Sequence, residues 1–239
     1  MFFGGAFMNT KNSQIRVQAR HLLDDNIFGK DWLKAALVHI LVDVIVTFIG
    51  IGLFKFLHAI VYPIMLIVEG KSVILYYFFP ILAFLIGVLA IYVLIGPINV
   101  GFASVYTGLV KGEKIKISKF FSGFSRLVSN ILLGFMFIIQ VALWSAFLVI
   151  PGIYVAYSYA LAFHVKNDHP NYNWKQCFDE SERLMEGNRW RLFKLQISHL
   201  GWFIVGTAFV FVGTFWAEPY LYTSTAIFYE EVKAIRGTK

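Results

Sequence analysis

Charge is scarce in this sequence: Asp, Glu, Lys and Arg make up 15% of its 239 residues, against about 25% in soluble domains. A soluble domain of this length could not hide the 58% that is hydrophobic, because over half of all side chains would need interior positions. Cysteine is nearly absent. Cys177 stands alone, which excludes a disulfide scaffold, and His164, His169 and His199 fit no common metal-ligand spacing. No Walker loop, dinucleotide fingerprint, Gly-x-Ser-x-Gly elbow or His-Glu-x-x-His helix occurs, so the usual signatures of phosphate binding, hydride transfer, acyl transfer and zinc hydrolysis are missing. No nucleophile–base set stands out either, and we expect no enzymatic activity and no cofactor. Aromatic residues, by contrast, reach 18%, which excludes a disordered chain. The remaining class is an all-α, polytopic membrane protein.

Four stretches, residues 35–54, 73–95, 127–150 and 195–216, are long enough to cross about 30 Å of hydrocarbon. Two shorter ones, 151–165 and 219–229, each open on a proline, a residue suited to the first position of a helix. If all six cross, every one of the 21 basic residues except Lys55 and Lys71 falls on one side. Basic residues in short loops mark the cytoplasmic side, so the expectation is six transmembrane helices, four long and two short, with both termini in the cytoplasm. Residues 1–34 then form a cytoplasmic segment, 35–232 one membrane domain and 233–239 a cytoplasmic tail. Trp32 and Trp190 would mark the inner interface, and Tyr76, Tyr77 and Trp216 the outer one. The +7 net charge is accounted for by this sidedness, so nucleic acid is not expected as a partner. Residues 1–7 lack the basic start and cleavage site of a signal peptide and read as an upstream extension before Met8.

Other segments read as lying on the membrane. Residues 13–23 form an amphipathic helix with Ile15, Val17, Leu22 and Leu23 available to one face. After Gly96-Pro97, residues 98–110 are only moderately apolar and read as interfacial or partly buried. Residues 114–126 mix lysines with Phe120, Phe121 and Phe124, as a basic helix on anionic lipid would. Residues 174–186 form a charged helix ended by Gly187-Asn188. Residues 59–68, interrupted by Pro63, are too short to span and read as re-entrant or interfacial. Pro151-Gly-Ile-Tyr154 and Pro219-Tyr-Leu-Tyr222 echo each other, which a shared hairpin turn explains.

Asp43 lies eight residues into the first span, where a carboxylate costs several kcal/mol unless paired or protonated. His39 stands one turn earlier on the same face. With Gln140 these make a candidate intramembrane polar site, able to relay protons or to form a helix–helix contact; Tyr157 would complete the lining of a cavity. Glu218, before Pro219, reads as an acidic helix start. Arg183, Arg189, Arg191 and Lys194 are candidate contacts for the phosphates of anionic headgroups, or anchors for the next span. Two functions follow: a protein acting through lipid or protein contacts, or a transporter or export component using His39 and Asp43.

The motifs Asn12-Ser-Gln-Ile-Arg-Val-Gln-Ala-Arg20, Gly96-Pro97, Leu148-Val-Ile-Pro-Gly-Ile153, Glu180-Ser-Glu-Arg-Leu-Met185, Trp190-Arg-Leu-Phe193, Glu218-Pro-Tyr-Leu221 and Phe228-Tyr-Glu230 occur in this order. In this the sequence resembles a bacterial multi-pass membrane family catalogued as domain of unknown function 975, over residues 12–232. The resemblance implies a cytoplasmic-membrane protein of several helices, in a Gram-positive bacterium, and implies no activity or catalytic residue. Residues 1–7 and 56–77 depart from the pattern.

Overall fold

The computed structural model describes residues 11–69, 71–208 and 213–237. The extension at 1–7, Met8 and Lys239 lie outside these. The described residues are helical with no strand: α1 (Asn12–Leu22), α2 (Lys30–Val68), α3 (Val73–Val93), α4 (Ile95–Val110), α5 (Ile117–Phe120), a 3-10 turn (Phe121–Phe124), α6 (Leu127–Phe147), α7 (Val149–Ser158), α8 (Ala162–Asp168), α9 (Trp174–Met185), α10 (Arg189–Ile197), α11 (Leu200–Ala208) and α12 (Thr214–Gly237).

The core is built on α4 and α12. α4 packs on α5, the 3-10 turn, α6, α8 and α12, and α12 also packs on α1, α2, α9, α10 and α11. Residues 98–110, read as interfacial or partly buried, are buried at the centre of the fold: Val100, Phe102, Ala103, Val105, Tyr106, Leu109 and Val110 are covered by protein. α1 lays Ile15, Ala19 and Leu23 on α12 and turns Val17 outward. α9 opens on a capping box: Asn173 Oδ1 accepts from the Gln176 amide at 2.9 Å, and the Gln176 side chain accepts from the Asn173 amide at 2.9 Å. It closes before Gly187, whose φ of +74° suits glycine. Residues 114–126 do not form one surface helix. They break into α5 and the 3-10 turn, with Phe120 packed against Phe102 in the core.

Two apolar hairpins leave this base. α2 buries Trp32, Ala35, Ala36, Val38, His39 and Val42, a one-face helical pattern. From residue 43 to residue 95, no described side chain is buried. Residues 59–68 simply continue α2, with Pro63 inside it, which replaces the separate re-entrant piece and leaves Lys55 in mid-helix rather than in an outer loop. The second hairpin is α6–α7. α6 buries Asn130, Leu133 and Gly134 and nothing beyond, and Leu148, extended at φ −159°, turns the chain into α7.

Trp32 and Trp216, expected at opposite interfaces, lie together. Trp32 Nε1 donates to the Trp216 carbonyl at 3.0 Å, and Trp216 Nε1 donates to the Ile27 carbonyl at 2.7 Å. Hydrogen-bonded residues cannot lie on membrane surfaces about 30 Å apart. Pro219 is also inside α12, not at its start, and residues 195–216 are broken between α10 and α11 by Ser198 and the buried His199.

Candidate functional site

The helical face of α2 that carries Ala35, Val38 and Val42 inward takes His39 with it, and the ring is 1% exposed. A buried imidazole needs partners for both nitrogens. His39 Nε2 lies 2.7 Å from the Tyr106 hydroxyl on α4, and Nδ1 lies 2.8 Å from Glu218 Oε2 on α12. Phe102 stacks on the ring at 4.2 Å between centroids, and Tyr222 closes a third side at 5.3 Å. Glu218 is half-buried, so the cluster has a carboxylate at its rim and aromatic walls behind. In the neutral ring, Nδ1–H donates to Glu218 and Nε2 accepts from Tyr106; in the protonated ring both nitrogens donate.

The expected pair is thus replaced. Asp43 is exposed and makes no hydrogen bond among the described residues. Gln140 lies on α6, which packs on α3, α4, α7 and α9, and has no hydrogen bond to either residue. Tyr157 donates instead to Gln196 Oε1 at 2.9 Å. The partners that sequence reading missed, Tyr106 and Glu218, are far from His39 in the chain; a histidine on an apolar face signals only that some partner must exist.

The cationic run is divided among carboxylates. Arg183 makes two bonds to Glu180, of 2.8 and 2.7 Å; Arg189 reaches Ser158 Oγ at 2.7 Å and Glu182 at 3.3 Å; Arg191 reaches Glu231 at 2.6 Å. Lys194 lies over the Trp190 ring at 5.3 Å. A second ionic group ties the ends of α4, α8 and α12 together: Asp168 binds Lys233, accepts from the Tyr229 hydroxyl at 2.9 Å, and lies 3.4 Å from Lys111. Burial raises the Asp168 carboxyl, but these partners outweigh it and hold it below the usual carboxylate value. Burial pushes the Cys177 thiol up to about 11, which leaves it unreactive. Among the described residues no group of three His, Cys, Asp or Glu is placed to hold a metal ion.

Comparison with curated proteins and with solved structures finds no match. Residues 146–236, from the end of α6 to the end of α12, match the family described as "Protein of unknown function (DUF975)", the same family that the sequence motifs resemble.

Proposed function

We propose that this chain is an integral protein of the bacterial cytoplasmic membrane that acts through lipid or protein contacts and catalyses no reaction, with the base and both termini on the cytoplasmic side. One observation carries the reading: the long hairpin from residue 43 to residue 95 is apolar and without a buried described side chain, with Phe48, Phe54, Val73 and Ile74 between 64% and 81% exposed. In water such a surface far exceeds the patch a soluble monomer tolerates; in hydrocarbon it is solvated. α2, 39 residues long, is long and apolar enough to cross; α6 reaches that length only when all 21 of its residues are counted, including Asn130, Leu133 and Gly134, which are buried in the base.

Of the six crossings expected, α2 and α3 are retained as one pair, because their turn carries Glu69, Lys71 and Ser72 and suits water. The last pair, 195–216 and 219–229, is not retained, because Trp216 touches Trp32 and Ile27. Removing a pair of crossings leaves every basic loop on the side the charge count gave it. Transport through a direct His39–Asp43 pair loses its basis, since His39 is engaged by Tyr106 and Glu218. The cleft between α2 and α3, about 260 Å³, is lined by apolar side chains and His58, which suits acyl chains better than a polar substrate. The test is membrane fractionation with alkaline carbonate, combined with an impermeant maleimide on a Ser72→Cys variant. Retention in the pellet and labelling from outside support the reading; release into the supernatant overturns it.

A further inference from the structure

We propose that the α6–α7 hairpin does not cross: it enters the bilayer from the cytoplasmic side, turns within the hydrocarbon and leaves by the side it entered, so that acyl chains of one leaflet surround it. This rests on the membrane reading above.

The lengths of the arms carry the argument. Gly134 is the last residue of α6 buried against the base, and the 13 residues from there to Phe147 give about 20 Å at 1.5 Å per residue. On the other arm the level of water is marked by charge. Arg189 donates to Ser158 Oγ at 2.7 Å and pairs at 3.3 Å with Glu182, which is half exposed. From Ser158 back to Val149, α7 has 10 residues, or about 15 Å. Neither arm reaches across about 30 Å of hydrocarbon. The Arg189 guanidinium lies over the Tyr154 ring at 4.5 Å, as a side chain at a headgroup boundary does.

The turn agrees. Phe147, Leu148, Val149 and Ile150 are each 68–80% exposed, and no polar side chain stands between Ser145 and Tyr154. On an outer surface this tip would present four naked apolar residues to water. The turn of α2–α3, with Glu69, Lys71 and Ser72, is the opposite case, and residues 43–68 of α2 supply about 39 Å. Backbone in hydrocarbon must be satisfied internally. Leu148 alone leaves helical geometry, and its own groups are both bonded: its amide donates to the Trp144 carbonyl at 3.2 Å and its carbonyl accepts from the Gly152 amide at 3.3 Å. Pro151 has no amide, so the Val149 and Ile150 amides are the donors that the first turn of α7 leaves open. The arms also touch closely, since a Cβ at Gly152 would lie 2.0 Å from Ser145 Oγ, so the hairpin enters as one rigid wedge.

The experiment uses full-length Leu148→Cys and, in case that variant folds poorly, Val149→Cys, with Ser72→Cys as the outer control; native Cys177 is buried. The expected result is loss of maleimide labelling at 148 and 149 in both intact cells and inverted vesicles, recovered in detergent, while Ser72→Cys labels from outside. A bimane at 148, in phosphatidylglycerol and phosphatidylcholine vesicles, is quenched more by doxyl at the acyl terminus than at the headgroup. Labelling at 148 and 149 from outside makes the hairpin a crossing and overturns the proposal. Labelling in inverted vesicles, or cross-linking between copies without acyl quenching, also overturns it. If the protein leaves the membrane in carbonate, the membrane reading itself has failed.

Discussion

His39 shows what one buried polar side chain demands of the rest of the chain. Its two nitrogens draw α2, α4 and α12 to one point, through Tyr106 and Glu218. Hydrogen bonds to charged groups contribute about 1.5–3 kcal/mol each, so Glu218→Ala should lower stability by about that much, and Glu218→Gln, which keeps an acceptor for Nδ1, by less. Thermal unfolding in detergent micelles measures both; equal losses would show that the hydrogen bond to His39 is not what Glu218 supplies. Asp168 gives a pH dependence of known sign. Its carboxyl is held low in the fold, so its contribution is complete above the ordinary value of about pH 4 and is lost as pH falls through the lower folded value. Asp168→Asn should therefore be less stable than the parent at pH 6 and should converge with it below pH 4, read from unfolding midpoints across that range. The residue types at both sites are plain in the sequence. Their pairing is not, because Glu218 has one reading at a helix start and another beside a histidine, and only the packing angle of α2 on α12 decides between them.

Elements were legible to the extent that their environment follows from composition. Apolar runs gave α2, α3 and α6, and the charged run stopped by Gly187 gave α9; its cap at Asn173 is seen only in the structure. At α4 the sequence left two environments open, interfacial or partly buried, for a physical reason: lipid and protein interior solvate the same side chains, so a moderately apolar run such as 98–110 does not say which covers it until its neighbours are known. A glycine pair makes the difference. A Cβ at Gly96 would meet the Asn130 carbonyl oxygen at 1.8 Å, and one at Gly134 would meet the Gly96 amide nitrogen at 2.5 Å, so α4 and α6 are in backbone contact. Gly134→Ala should cost about 1–3 kcal/mol by forcing these helices apart. Gly52, with nothing within 4 Å of its Cβ position, is the control: Gly52→Ala should leave stability unchanged or raise it by up to about 1 kcal/mol. The long hairpin carries one expensive feature. Lys55 is exposed on α2, 13 residues beyond Val42, or about 20 Å along a crossing helix. Lys55→Leu should favour insertion of this segment by about 2–3 kcal/mol, read from the inserted fraction in a translocation assay.

At the scale of the whole molecule, charge bias and contact geometry answer different questions. The basic residues specify sides, and dropping two consecutive crossings whose connecting turn holds no basic residue leaves that bias intact. The contact of Trp216 with Ile27 and Trp32 specifies depth, and it brings the start of α12 level with the start of α2. Six crossings put residue 213 near the outer end of the span 195–216; with the start of α2 on the cytoplasmic side, as proposed, the contact puts it on that side, three residues before a tryptophan that bonds to the loop preceding Lys30. Gly213→Cys should accordingly be labelled by an impermeant maleimide in inverted vesicles and not in intact cells, the reverse of Ser72→Cys. The two variants share one chain, one membrane and one reagent, so opposite sidedness between them separates the arrangements directly. Labelling of both from outside would restore the last pair of crossings and require α12 to part from α2 in the bilayer, breaking the His39–Glu218 contact along with the tryptophan pair.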